Sequence, residues 1–179
     1  GIFFADDPAF KGRPRELVAQ DYVYAYKRFY DPATTSPGHS SLSDEGIVGL
    51  DALRERALKD QQPFDYDTEV EGLRALDRYT LQFKLAAPRP RFLTTLSNSA
   101  GYGAVAREVV EAYGADIPAH PVGTGPYRLK QWRRSSLIVL EPNPGFREMR
   151  YDAQPAADDL QGQAWLAKYW TFWTRIFVS

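Results

Sequence analysis

The sequence predicts a mixed α/β fold, and three stretches carry that prediction. Between Ala19 and Tyr30, Tyr22, Tyr26 and Phe29 recur at i, i+4 and i+7, with Val23 and Tyr30 widening the stripe. That is the spacing of one buried helix face. Leu81, Phe83 and Leu85 alternate with Thr80, Gln82 and Lys84, the period of a strand with one side in a core. From Tyr127 to Leu140 two further strands flank the polar turn Arg133-Arg134-Ser135-Ser136.

Taken in order, Ile2-Phe3-Phe4 reads as the tail of a strand, and Asp6 to Gly12 as a loop punctuated by Pro8 and Gly12. The helix from Ala19 stops at Asp31-Pro32, because the residue before proline is pushed out of the α region. Thr34 to Glu45 reads as a polar loop holding His39. Asp51 is placed to cap a helix running to Lys59, with Leu53, Ala57 and Leu58 turned inward and Gln62-Pro63 beyond its end.

Val70 to Leu76 and Leu81 to Leu85 then form a strand pair about the turn Asp77-Arg78-Tyr79. Arg91 to Leu96 is a short helix after Ala87-Pro88-Arg89-Pro90. Ala106 to Tyr113 is another, with Gly114 at the C′ position, where a left-handed residue ends a helix. Ala115 to Pro121 is a proline-spaced linker containing His120. Gly123 and Gly125 bracket Thr124, and Pro126 fixes φ just before the chain extends into Tyr127-Arg128-Leu129-Lys130. The return strand Leu137-Ile138-Val139-Leu140 closes at Pro142, and Asn143-Pro144-Gly145 turns the chain away.

Residues 151–179 differ in kind. Tyr151 to Asp159 is polar and rich in Pro and Ala. Gln161 to Ser179 crowds in Trp165, Tyr169, Trp170, Phe172, Trp173, Ile176, Phe177 and Val178, with Trp165, Tyr169, Phe172 and Trp173 on one helical stripe. Lys168 and Arg175 make this run too charged, and its length too short, to span a bilayer. It reads as core packing, an exposed stub or an interfacial amphipathic helix.

Composition narrows the function classes. The 179 residues suffice for a real core, and 44% apolar with 25% charged residues are globular values. Lys plus Arg at 22 nearly cancels Asp plus Glu at 23, so no global field selects nucleic acid or an anionic surface as partner. The chain has no cysteine, which excludes disulfides and thiolate chemistry. Aromatic content of 14% is rich and suits either ligand contact or, more plainly, core packing.

No catalytic set has usable spacing. The two histidines, His39 and His120, make no metal-ligand pair, and Asp6-Asp7 and Asp158-Asp159 are adjacent loop carboxylates rather than an acid/base couple. Gly123-Thr124-Gly125 lacks the Lys-Ser/Thr of a phosphate loop and precedes a strand. The residues therefore argue for no catalytic residue, no metal and no cofactor.

Four segments resemble, in the same order, the extracellular solute-binding proteins of ABC importers, the oligopeptide/dipeptide/nickel-binding family (family 5, cluster C). Ala19, Asp21, Tyr22, Val23, Tyr24, Lys27, Arg28, Asp31 and Pro32 match the family's Ala-x-Asp helix and its end, and Ser36-Pro37 the Ser-Pro that follows. Val70, Gly72, Leu73, Ala75, Asp77, Thr80, Leu81 and Leu85 match its strand pair. Pro90, Phe92 and Leu93 match a short helix. Gly123, Thr124, Gly125, Pro126, Tyr127, Trp132, Val139 to Glu141, Asn143, Pro144 and Phe146 match its Gly-Thr-Gly-Pro-Tyr loop and hairpin.

The resemblance fades after about Gln163. It implies a periplasmic-binding-protein type II-like architecture, with residues 1–115 as the peripheral α/β domain, 116–150 as linker and hairpin returning to the first large lobe, and 151–179 as an atypical tail. It implies a non-enzymatic, monomeric periplasmic component that captures peptides or similar small solutes and hands them to an ABC permease in the inner membrane. The residue after Ser-Pro lies near the ligand cleft in the family, which points to Gly38, with His39 beside it. Gly38 offers only backbone where a side chain would otherwise reach the ligand. Beginning at Gly1 without Met or leader, the chain reads as an incomplete portion of a longer protein that would not bind ligand tightly alone. Two other classes stay open on the residues: a free-standing interaction domain using the aromatic tail, or a hydrolase with an unrecognised site at His39 or His120.

Overall fold

The computed structural model describes residues 1–97, 99–147 and 154–165. The chain divides into two compact units, Gly1–Phe146 and Arg147–Ser179. Within the first, helix α1 (Ala19–Tyr30) is the central strut. It forms where the apolar stripe predicts, and Tyr26 and Tyr30 are buried, with Tyr22 and Phe29 partly so. Its start is fixed by Asp21, whose carboxylate accepts the Val18 N–H at 2.8 Å and the Arg15 guanidinium at 2.6 Å. It ends at Asp31, which leaves helical geometry (ψ 117°) ahead of Pro32 and accepts the Ala33 N–H.

The main core gathers Val23, Tyr26 and Tyr30 with Leu42, Ile47, Leu50, Leu53, Phe64, Val70, Leu73, Phe92 and Tyr102. A smaller core joins Phe4 and Phe10 to Ala106 and Val109 of the C-terminal helix region. Here Phe3 bridges Glu16 in antiparallel fashion, so the predicted strand tail is a single ladder step.

Several expectations are corrected. Thr34–Glu45 is not all loop: α2 (His39–Ser43) forms a turn of helix because Leu42 is fully buried, and one apolar residue leaves no periodicity to read. The next helix, α3 (Leu50–Asp60), is preceded by Gly49 at φ 90°, not capped by Asp51; Asp51 instead accepts the Ser43 hydroxyl at 2.7 Å. Leu58 is exposed, since only Leu50 and Leu53 of that helix are buried in the core.

Strands β1 (Leu73–Ala75) and β2 (Leu81–Phe83) pair antiparallel over three residues, shorter than the sequence patterns. The reason is a backbone crossing the sequence does not announce. The segment Gly46–Val48 lies against residues 84–86 (Val48 N–H to Lys84 O, 3.0 Å; Ala86 N–H to Gly46 O, 2.9 Å), and Gly72 is inserted between them. The Gly72 N–H donates to Val48 O, and its carbonyl accepts from Lys84 N–H, both at 2.9 Å.

Helices α4 (Phe92–Leu96), α5 (Ser99–Tyr102) and α6 (Arg107–Tyr113) follow. Gly114 follows the last residue of α6 with a positive φ (50°), as a glycine terminator allows, but its ψ of −118° lies outside the left-handed helical region, and the predicted linker is a 3-10 turn over Gly114–Ala119. It ends with His120 stacked on Tyr113, ring centroids 3.8 Å apart and near parallel.

The predicted hairpin is present as β3 (Tyr127–Arg133) and β4 (Leu137–Pro142), with Ser135 left-handed in the turn. Its register shifts by one: Leu129 pairs Leu140 but Gln131 pairs Val139, leaving Lys130 as a bulge. The bulge carries Tyr127, Leu129, Trp132, Ile138 and Leu140 onto one side. The pattern predicted a half-buried strand, yet Ile138 is 65% exposed and Leu140 58%. Among the described residues this pair forms a sheet of its own two strands, so its alternation does not mark a covered face.

In the second unit, residues 160–165 are helical, with Asp159 accepting the Gly162 N–H at 2.8 Å. The aromatic stripe beyond Trp165 lies outside the described residues. Among the described residues no helix is long and apolar enough to cross a membrane.

Candidate functional site

The site the sequence points to sits where α1 gives way to α2. Asp31 and Thr34 lock the intervening 3-10 turn: Asp31 accepts the Ala33 N–H, and the Thr34 hydroxyl donates to Arg28 O at 2.7 Å. Thr35 takes a left-handed conformation, the Ser36 hydroxyl accepts the Gly38 N–H at 3.3 Å, and Ser36 O accepts the His39 N–H. The loop is thus held at fixed points on both sides of Pro37.

Gly38 is there for want of space. A Cβ on it would stand 2.8 Å from Cε1 and 3.1 Å from Cδ1 of Phe29, distances that force the ring to move. Phe29 is in turn packed on Tyr102 (centroids 5.3 Å) and Tyr26 (6.4 Å). Tyr26 stacks between Tyr22 (6.5 Å) and Tyr102 (6.2 Å) and meets the edge of Phe83. Burial, followed by the neighbouring phenols of Tyr22 and Tyr102, pushes the Tyr26 phenol up to about 12. His39 turns its ring edge-on to Tyr30 at 5.2 Å, and both His39 Nε2 and the Tyr30 hydroxyl are buried without a hydrogen-bond partner.

The motif residues Gly123 to Tyr127 meet a different part of the molecule. The Gly123 carbonyl accepts the Ala5 N–H at 2.8 Å. The buried Asn143 side chain donates to Gly125 O at 2.9 Å, and its backbone N–H donates to Pro126 O at 2.8 Å. Tyr127 pairs with Pro142 at the hairpin mouth. Neither Gly123 nor Gly125 has a positive φ, and a Cβ on either would meet nothing closer than 4.0 Å, so neither a left-handed turn nor a close approach requires glycine at these positions.

A groove of about 650 Å³ opens elsewhere on the first unit, lined among others by Arg15, Asp21, Tyr24, Tyr66, Arg107 and Glu108, and includes neither Gly38 nor His39. Its charges answer one another: Arg15 pairs with Asp21 and Glu108, Arg78 with Glu16, and Arg107 with Asp67 and Glu111. With its ionic groups satisfied internally, the groove is a structural junction between α1 and α6. Behind it, Lys27 is 3% exposed and donates to the carbonyls of Tyr66 (2.8 Å) and Thr68 (2.7 Å), while the Tyr66 hydroxyl donates to Asp31 at 2.6 Å. Among the described residues no three His, Cys, Asp or Glu side chains are grouped to hold a metal ion.

The sequence missed Phe29 as a neighbour of Gly38, and Tyr102 as the ring packed against Phe29. Phe29 was legible only as part of a helical stripe, and Tyr102 sits in the short Ser-Ala-Gly-Tyr segment, which carries no period.

Comparison with known proteins bears on this geometry. The family model for bacterial extracellular solute-binding proteins, family 5 Middle, matches residues 1–161. The periplasmic oligopeptide-binding protein OppA of Escherichia coli (strain K12) is 33% identical over 132 residues, 73% of this chain and 23% of that protein. The solved structure of the Escherichia coli murein tripeptide binding protein MppA is similar with a TM-score of 0.59 at 30% identity, covering 76% of this chain and 25% of that one. Haemophilus influenzae OppA in complex with RPPGFSPFR gives a TM-score of 0.57 at 26% identity over 74% of this chain and 24% of that one. The chain spans about a quarter of the length of the relatives it matches.

Proposed function

The chain belongs to the bacterial extracellular solute-binding proteins, family 5, and from that premise we propose that it serves the substrate-binding step of an ABC-type importer. It captures peptides or similar small solutes in the periplasm and delivers them to a permease of the inner membrane. The observation that carries this reading is the family match across residues 1–161, on a mixed α/β fold shared with peptide-binding relatives. Such work is binding and handover, with no bond made or broken, which accords with a site of backbone, phenols and aromatic rings.

In this reading residues 1–115 form the peripheral domain, 116–150 the return to the first large lobe, and Gly38 and His39 lie at the ligand cleft. Peptides held through their main chain would tolerate many side chains. The test is deletion of the gene in the organism that encodes it, followed by uptake of labelled di-, tri- and oligopeptides. Uptake of at least one class falls and returns when the intact gene is restored. Unchanged uptake of every class overturns the proposal.

A further inference from the structure

No residue of the β3–β4 ribbon belongs to either hydrophobic core. Its strands pair with each other, and it is fastened at its mouth, where Asn143 donates to the carbonyls of Gly125 and Pro126. Beyond that mouth every residue from Lys130 to Ile138 is exposed. One side carries Tyr127, Leu129, Trp132, Ile138 and Leu140, and of these only Leu129 is partly buried. A contiguous apolar strip of this kind marks an interaction surface, where single exposed apolar residues would not.

Charge identifies what the strip fits. Arg128, Lys130, Arg133 and Arg134 share the ribbon with one carboxylate, Glu141, on a chain whose formal net charge is −1. Glu141 is taken up by Arg128 at 2.8 Å and Lys130 at 3.6 Å. Arg133 and Arg134 meet no carboxylate among the described residues, and the Arg134 guanidinium lies over the Trp132 ring, 5.7 Å from its centroid. A second copy of the ribbon would bring like charges together around the apolar contact. A nucleic acid would answer the arginines and leave Ile138 and Leu140 without an apolar partner. An anionic bilayer surface answers both, with apolar side chains at the acyl boundary, Trp among the headgroups and guanidiniums on phosphates.

We propose that the β3–β4 ribbon is a docking surface for an anionic phospholipid bilayer. Trp132, Ile138 and Leu140 enter the headgroup–acyl boundary, and Arg134, beside Trp132, takes a lipid phosphate. Arg133, on the other side of the strand, adds attraction over a Debye length. The apolar strip is too small to anchor the chain by itself and the charge is screened by salt, so the two signals act together and the binding is reversible. This goes beyond the proposed function and rests on the ribbon alone, so its failure leaves the family assignment and the uptake test untouched.

The test is flotation of the full chain with vesicles of phosphatidylcholine alone and of phosphatidylcholine with an equal part of phosphatidylglycerol. The expected result is that the chain binds the anionic vesicles about ten-fold more tightly, and that raised salt removes the difference. Arg133→Glu with Arg134→Glu abolishes the preference, whereas Arg133→Lys with Arg134→Lys, which keeps the charge, retains it. Ile138→Asp lowers binding to anionic vesicles about ten-fold by removing apolar burial. All three positions are exposed, so urea midpoints should match that of the unaltered chain, and the charge-keeping pair guards against a folding defect at the turn. Equal binding to the two vesicles, or none to either, overturns the proposal. Binding that survives both the Glu pair and Ile138→Asp belongs to another surface and overturns it too. So does a dimer in analytical ultracentrifugation that Ile138→Asp dissociates, which would assign the strip to a second copy.

Discussion

Replacing Gly72 by alanine is the sharpest perturbation the fold offers. A Cβ at that position would lie far inside van der Waals contact of both the backbone N and O of Val48, and 2.9 Å from Lys84 O. These are main-chain atoms in a three-way crossing, so no flexible side chain can step aside. To admit the methyl, the Gly46–Val48 segment must separate from Gly72, and the bonds Gly72 N–H to Val48 O and Lys84 N–H to Gly72 O are lost or bent. Each buried amide left unpaired costs about 1–3 kcal/mol, and overpacking adds a similar amount, so Gly72→Ala should destabilise by about 3–5 kcal/mol. Gly123 is the internal control, with nothing within 4 Å of an added Cβ and no positive φ; Gly123→Ala should change stability by less than about 0.5 kcal/mol. Gly114, equally open but at φ 50°, should cost about 1 kcal/mol from backbone strain alone. Urea unfolding followed by far-ultraviolet circular dichroism ranks the three. A Gly72→Ala midpoint matching that of Gly123→Ala would refute the reasoning, because it would mean that residues 46–48 and 72 do not touch.

Asp21→Ala removes the acceptor for the Val18 N–H and leaves Glu108 as the one carboxylate paired with Arg15 among the described residues; it should cost about 1–3 kcal/mol, read as a lower urea midpoint. Lys27→Met leaves the carbonyls of Tyr66 and Thr68 without their donor; amide exchange at residues 65–69 should accelerate at least ten-fold, and unchanged exchange would remove the ammonium as the anchor of that loop. At high pH the sign follows from the raised phenols. Tyr26 moves from about 10 to about 12, and Tyr30 and Tyr66 shift upward too, burial being the first cause in each. The protonated phenol therefore supports the fold fully below pH 10 and loses that support as pH rises toward 12. For Tyr26 this amounts to about 3 kcal/mol. Tyrosinate absorbance and circular dichroism should change together in that window; full ionisation of all phenols near pH 10 with the fold intact would contradict it.

What the sequence disclosed and what it hid divide along a physical line. Helix α1 was legible from Tyr22, Tyr26 and Phe29 and from Asp31-Pro32, because periodicity and a proline stop act within a few residues. The hairpin was legible for the same reason, as was Gly114 as a helix terminator. The Gly72 crossing was not, since it depends on segments near residues 47 and 85 that come together only in three dimensions. Leu42 gave no period by itself, so α2 was read as loop. At the candidate site the position of Gly38 could be inferred from resemblance, but the ring of Phe29 lying over it is a contact between neighbours in space. The exposed side of β3 and β4 shows the opposite failure: a correct alternation does not say whether anything covers the apolar side.

The extra residue at Lys130 makes the ribbon forgiving of shortening at one place. Without it, Leu129 opposite Leu140, Gln131 opposite Val139 and Trp132 opposite Ile138 become consecutive pairs, so the ladder would run regularly with Trp132 still on the side of Tyr127 and Leu129. Losing a residue elsewhere in β3 would instead put part of that strand on the wrong side of its partner. Tolerance to deletion should therefore centre on Lys130 and on the turn around Ser135.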